Sequence, residues 1–245
     1  MRGKNFLLPS DMKKGFYVQL HLHTSETSGC GRSGGAEMAR ACKAAGYDLI
    51  AITDHFFNAN IGCDKTAPWE EQVEYLFRGY RAAKAEGDRI GLEVIFGWET
   101  FHQGPELLTY GLGEEFLLSN PDIAKVDYRE YVRRINEAGG LLIHAHPYRE
   151  AHYIPPYTPD PDGLLAFEVY NHHNKLPEYN HRAYADAVKR NVLMVAGADA
   201  HHVDEIGGGA VRFDRPVHNV RDMIDRVRAG ESRIIEVMPP ADELI

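Results

Sequence analysis

A chain of 245 residues, 44% of them hydrophobic, can bury a full core, and one α/β barrel of roughly 250 residues is a normal single domain, so residues 1–245 read as one domain. A formal charge of −9, spread without a run of like sign, argues against non-specific nucleic-acid binding, which needs clustered Lys and Arg, and favours solubility. Three cysteines (Cys30, Cys42, Cys63) match no CxxC pair and argue against a disulfide framework, which points to a reducing cytoplasm.

The opening "MRGKNFLLPSDMKK" carries no apolar leader, and no segment approaches the about 18 apolar residues of a membrane span. A first strand, "FYVQLHLH", is followed by a helix in "GGAEMARACKAAG", with Ser33 as a possible cap and Gly46 as the stop. Met38 and Cys42 share a face of that helix and belong to the core. "YDLIAIT" is a second strand. "PWEEQVEYLFRGYRAAKAEG" reads as one long amphipathic helix opened by Pro68 and closed by Gly87. "LEVIFGWET" and "ELLTYGL" are the next strands, then come a helix in "DYREYVRRINEAGG" and a strand in "LLIHAH". The Pro-rich "HYIPPYTPDPDG" is either a substrate lid or an ordinary surface loop. "LLAFEVYN" is a strand, "PEYNHRAYADAVKRN" a helix, "VLMVAGAD" a strand, "VHNVRDMIDRVRAG" a helix and "RIIEV" a last strand. Val220, Ile224 and Val227 form an apolar stripe facing the sheet. Strands alternating with helices predict a parallel sheet with helices outside, and seven or eight strands predict a closed or nearly closed barrel. An open doubly wound sheet is the alternative, but no Gly-rich dinucleotide loop follows the first strand.

Metal-ligand residue types recur where the strands end: His21 and His23, Asp54 and His55, Glu99, His144 and His146, Glu168 and Asn171, then Asp199, His201 and His202. In a parallel barrel the carboxyl ends of the strands meet on one face. Imidazole suits zinc, iron and manganese, and carboxylates bridge pairs of ions. Each residue alone has a plain structural reading: a hydrogen-bonded core His for His21 or His23, a helix cap for Asp54, an Arg partner for Glu99, a loop residue for His146. Together, in register with the strand ends, they predict a metal cluster.

The ordered set "HLHT", "ITDH", "GWE", "HAHP" and "GADAH" resembles the motifs of the PHP (polymerase and histidinol phosphatase) family, across nearly the whole chain. The resemblance implies a distorted (β/α)7, TIM-barrel-like fold, two or three divalent metals (Mn, Fe or Zn) and phosphoesterase activity. It implies that His21, His23 and Asp199 hold one ion, that Glu99 bridges to a second bound by His146, and that His55 and His201 help hold a third. The sequence departs from the family in two places. "LLTYGLG" lacks the His that often serves the second ion, for which His102 or His144 could substitute. The segment after "HLHT" offers Glu26 in place of the usual Asp or His.

A metal cluster can acidify bridging water, so the expected reaction is hydroxide attack on the phosphorus of a small phosphorylated metabolite. Glu99 then carries the centre. Arg149 would bind phosphate, or else pair with Glu150 at the surface. Arg32 is a second phosphate candidate, more simply read as exposed loop, and His202 is a candidate proton donor to the leaving group, more simply read as an exposed neighbour of His201. The alternatives are a metal-dependent hydrolase of an amide or ester and a non-catalytic metal-binding module. A cytoplasmic enzyme with no nucleic-acid or membrane partner is expected.

Overall fold

The computed structural model describes residues 15–238; the opening stretch read as lacking an apolar leader lies outside them. Among the described residues, nine strands, β1 (Phe16–Gln19), β2 (Leu49–Ile52), β3 (Glu93–Phe101), β4 (Glu106–Tyr110), β5 (Leu141–Ala145), β6 (Ala166–Asn171), β7 (Leu193–Gly197), β8 (Gly208–Phe213) and β9 (Arg233–Val237), form one sheet. Their order is β7-β6-β5-β4-β3-β2-β1-β8-β9. Beyond β1 the chain reaches the far end of that order: His23 N–H donates to the Ala200 carbonyl at 2.9 Å, and Asp199 N–H donates to the His21 carbonyl at 2.9 Å. Leu22 and Ala200 form a parallel bridge there. The sheet thereby curls into a nearly closed, distorted barrel.

The helices are α1 (Gly35–Ala44), α2 (Trp69–Leu76), α3 (Arg78–Ile90), α4 (Glu114–Ser119), α5 (Tyr128–Glu137), α6 (Pro177–Arg190) and α7 (Val220–Arg228). Local chemistry sets their ends. The Asp127 side chain accepts from Glu130 N–H at the start of α5, and the Asn219 side chain accepts from Asp222 N–H at the start of α7. Pro177 opens α6, and Asn191 closes it in the left-handed conformation. Inside the barrel, Val18, Leu20, Ala51, Leu108, Ile143 and Val195 pack together. Met223, Ile224 and Val227 of α7 join this same cluster, so α7 plugs one end of the barrel as its apolar stripe predicts. Among the described residues, no helix is long and apolar enough to cross a membrane.

Four expectations need correction. The sheet is mixed: β4 runs antiparallel to both β3 and β5, because only four residues join Phe101 to Glu106 and no crossover helix fits that span. The sequence reading missed β8, which pairs antiparallel with β1 and β9; its glycine-rich start obscures the strand pattern. The single long helix is two, α2 and α3, separated at Phe77, and the second runs past Gly87 to close at Gly91 with φ +70°. Ser33 is not the cap of α1. Gly34 holds that position, and the Ser33 hydroxyl accepts from Val203 N–H at 3.2 Å.

Candidate metal centre

Strand β1 ends at Gln19, two residues before the first histidine. Leu20 packs in the barrel interior, yet Leu22 packs in the outer layer under α1. The regular alternation therefore breaks between them. Gln19 Oε1 fixes the break by accepting from His21 N–H at 3.1 Å and from Ala198 N–H at 2.8 Å. The result turns both imidazoles inward, with His21 Nε2 3.2 Å from His23 Nε2. Side chain and backbone, not strand pleat alone, make the pair.

The Glu99 carboxylate sits at the centre. Its oxygens lie 3.1 Å from His146 Nε2, 3.1 Å from His55 Nδ1, 3.3 Å from His21 Nε2 and 3.4 Å from His23 Nε2. The Asp199 carboxylate lies 3.2 Å from His23 Nε2, 3.4 Å from His21 Nε2 and 3.8 Å from His201 Nδ1. Both Asp199 and His146 adopt positive φ, +55° and +28°. Such backbone is sparsely populated outside glycine and persists where surrounding structure enforces it.

A buried outer ring orients these groups. Glu168 accepts from His21 Nδ1–H at 3.0 Å and from His146 N–H at 2.8 Å. Ser28 Oγ lies 3.2 Å from His23 Nδ1, donates to Asp54 at 2.6 Å and accepts from His55 N–H at 3.0 Å. Asp54 also accepts from Thr24 N–H and Oγ1–H, so it organises the end of the first strand and caps no helix. Gly197 has no room for a side chain, since a Cβ there would lie 2.0 Å from Glu168 Oε1.

Electrostatics fit a cation site. Burial opposes charge on His21, but Asp199, Glu168 and Glu99 outweigh it and hold the imidazole protonated well above its ordinary range. Burial and the neighbouring His201 and His55 keep His23 well below it. Burial would raise Glu99 and Asp199, yet His21 above all holds both carboxyls well below the usual range. So many carboxylates and imidazoles in a dry cluster need positive charge, supplied by protons or by metal ions. Buried atoms without a directed hydrogen bond include His55 Nδ1 and Glu106 Oε2, both in this cluster. Donor atoms within 4.8 Å of one another group as His21, His23 and Glu99; His21, His146 and Asp199; His23, His55 and His201; and Glu99, Glu106 and His146. The nitrogen and oxygen donor set suits divalent ions of the zinc, iron and manganese kind.

The structure brings together His21, His23, His55, Glu99, His146, Asp199 and His201. It separates three other candidates. Glu26 accepts from Gly35 N–H with both oxygens at 3.0 Å and so serves the start of α1. His102 packs on the rings of Tyr131 and Tyr128. His144 points to the outer layer, where its Nε2 meets Tyr157 OH at 3.0 Å and its ring meets the face of Phe167 edge-on. It shares no face with His146, because the strand ends at Ala145 and the chain turns at His146. His202 accepts from Asp204 N–H at the head of a short 3₁₀ turn, Val203–Glu205, and does not line the cavity. Arg32 pairs with Glu205 at the surface.

Arg149 is no surface partner of Glu150, which pairs with Arg182. Instead it enters the cavity, 2.7 Å from Asp199 Oδ2, and donates to Asn171 and Asn174 at 2.8 Å each. The cavity above the cluster is about 970 Å3 and is lined by Glu99, His146, Asp199 and His201 at its floor. Phe101, Tyr153, Leu176 and Tyr179 supply apolar walls, with Lys175 beside them. Tyr153 belongs to the Pro-rich loop, which therefore borders the cavity.

Two groups escaped the sequence reading. Glu106 is buried beside the cluster, its Oε2 3.6 Å from His146 Nδ1, and burial pushes its carboxyl up to about 7 against the pull of His146. It opens an antiparallel strand, so the amino end of β4, not its carboxyl end, lies on the site face. Cys30 lines the cavity next to His55 and His201. Burial would raise its thiol, but the neighbouring His201 and His55 bring it down to about 6. No sequence spacing marks it.

A family model described as PHP-associated matches residues 177–232, from α6 through α7. Comparison with curated proteins finds no match. Among solved structures, the chain is similar to a two-domain Bacteroides vulgatus protein containing a predicted PHP-like metal-dependent phosphoesterase: TM-score 0.65, 16% identity, 95% of this chain and 68% of that one. It is also similar to a presumed metal-dependent phosphoesterase of Bifidobacterium adolescentis, with TM-score 0.55 and 14% identity over 85% of this chain and 94% of that one. A third is an amidohydrolase of Chromobacterium violaceum holding sulfate and no metal, with TM-score 0.51 and 13% identity over 92% and 99% of the two chains. At these identities the likeness is one of fold.

Proposed function

We propose that this chain, a PHP-domain protein by its barrel fold and C-terminal segment, is a metal-dependent hydrolase of phosphoric esters of small metabolites. One observation carries the reading: a buried Glu99 carboxylate within 3.4 Å of four imidazoles, at the floor of a cavity large enough for a substrate. His21, His23 and Asp199 would hold one divalent ion, Glu99, His146 and Glu106 a second, and His55 and His201 a third. Bound ions would supply acidified water at neutral pH and neutralise the phosphate oxygens.

The chain's own groups do the rest. Glu168 and Ser28 fix the ring planes of His21 and His23 through their outer nitrogens. Arg149, already pinned by Asn171 and Asn174, offers its guanidinium to phosphate from the cavity wall. Lys175 stands nearby as a further cation. The aromatic walls exclude water around the departing group.

A second reading, hydrolysis of an amide or ester, draws on the amidohydrolase among the structural neighbours. The deciding experiment combines elemental analysis of purified protein with steady-state release from 4-nitrophenyl phosphate, bis(4-nitrophenyl) phosphate and 4-nitrophenyl acetate after loading with Mn2+, Zn2+ or Fe2+. Metal uptake with turnover of a phosphate substrate, lost in Asp199→Ala, supports the proposal. Metal-loaded protein that turns over the acetate alone, or nothing, overturns it.

A further inference from the structure

The position formed by His23, His55 and His201 has three nitrogen donors within 4.8 Å of one another, and Cys30 lines the same cavity as His55 and His201. Its loop is built to hold it there. Gly29 N–H donates to the Asn60 carbonyl at 2.8 Å, and Gly31 N–H donates to the Ser28 carbonyl at 3.0 Å. A Cβ on Gly31 would lie 2.2 Å from the Thr24 carbonyl oxygen, and one on Gly29 would lie 2.9 Å from Asn60 Oδ1. The backbone on both sides of Cys30 therefore runs too close to its neighbours to swing out.

The same loop is stitched to both imidazoles. Arg32 N–H donates to the His201 carbonyl at 2.8 Å, and Ser33 N–H donates to the same oxygen at 3.3 Å. On the other side, the Ser28 hydroxyl accepts from His55 N–H at 3.0 Å and meets His23 Nδ1 at 3.2 Å. His55 Nδ1 itself faces Glu99, whose Oε2 lies 3.1 Å away. Cys30 thus sits on the cavity wall, with His55 and His201 fixed beside it through independent backbone ties.

Resting on the metal-centre reading above, we propose that Cys30 is a thiolate ligand of the ion held by His55 and His201. The thiol gives up its proton to solvent on binding, and sulfur joins nitrogen in one coordination shell. Thiolate is a softer donor than the carboxylates of the other two positions. It biases this one position toward zinc over manganese or magnesium, while the Glu99-bridged positions keep nitrogen and oxygen donors only.

Cobalt(II) reports sulfur ligation directly, because a thiolate-to-cobalt charge-transfer band appears in the near ultraviolet independently of catalysis. Metal-stripped protein is titrated with Co2+, with bound cobalt measured on the same samples. The expected result is a near-ultraviolet band that Cys63→Ser retains and Cys30→Ser loses, with cobalt still bound in both. If Cys30→Ser does not fold, alkylation of wild-type protein with iodoacetamide, mapped to Cys30 by peptide mass, serves instead; Zn2+ should slow it at least about tenfold, since a metal-held thiolate is no free nucleophile. Bound cobalt without the band, or alkylation indifferent to zinc, overturns the Cys30 assignment and leaves the rest of the centre standing. No cobalt uptake at all overturns the centre and Cys30 together.

Discussion

Single side chains separate the groups that would grip metal from those that would aim it. Glu168 accepts from His21 Nδ1–H and from the His146 backbone N–H, so it fixes one imidazole and the backbone that carries another without facing the cavity. Replacing such an orienting carboxylate typically costs 10–100-fold in metal affinity. Glu168→Gln is expected to weaken binding by about that factor, read by competition with a chromophoric chelator. Unchanged affinity would assign Glu168 to packing alone. His102 gives a prediction of a different kind. Burial against Tyr131 and Tyr128 pushes its imidazole down to about 4 from an ordinary 6.5, with Asp127 opposing. Between those values the unfolded chain binds a proton that the folded chain refuses, so acid favours unfolding. Stability from this group is complete above pH 6.5 and declines as pH falls toward 4. His102→Phe should show a smaller drop in urea midpoint from pH 7 to pH 5 than wild type; equal drops would refute the assignment. The seven residues that form the cluster were legible because their types recur at strand ends. Glu26, His102 and His144 were misplaced because a residue's type says nothing of which way a loop or an outward pleat carries it.

At the scale of elements, helix packing and the site share atoms. Gly79 in α3 lies against the strand end that carries the first histidines; a Cβ there would sit 1.9 Å from Thr24 Oγ1 and 2.5 Å from Asp54 Oδ2. Those two groups are hydrogen-bonded to each other, and Asp54 also holds Ser28. Gly35 in α1 is as tight, since a Cβ would meet the Gly79 carbonyl at 2.3 Å. Overpacking of this kind costs about 1–3 kcal/mol. Gly79→Ala should lose that much in urea denaturation and also weaken metal binding, because the displaced Thr24 adjoins His23. A loss of stability with unaltered metal affinity would show that the helix contact and the site are independent. The β3–β4 hairpin teaches the reverse lesson. Its four-residue turn puts Glu99 and Glu106 on the same end of the barrel from opposite chain directions. Reading "LEVIFGWET" and "ELLTYGL" as strands was enough to find both elements, but their relative direction depends on the turn, and with it the role of Glu106.

For the whole molecule, the centre joins chain segments from His21 to His201 at one mouth of the barrel, while α7 closes the other. Ions bound there would tie β1, β3, β5 and the segment after β7 together, and they bind the folded state only. At free metal one hundred times the dissociation constant, such binding adds about 2.7 kcal/mol per site. Melting temperature should therefore rise on addition of Zn2+ or Mn2+ and fall on treatment with a chelator, while Glu99→Gln protein should respond far less. An equal shift in wild type and Glu99→Gln would point to binding elsewhere.

The sequence by itself determined the alternation of strands and helices, the apolar stripe of α7 and the recurrence of imidazoles and carboxylates at strand ends. These are periodicities and residue types, written locally along the chain. The antiparallel runs of β4 and β8, the break after Gln19 that turns His21 and His23 inward, the outward course of His144 and the arrival of Glu106 and Cys30 at the cluster were decided only by tertiary structure. Direction, register and loop path depend on hydrogen bonds between residues far apart in the chain, such as Asp199 to His21 and Arg32 to His201, and no local pattern encodes such pairs.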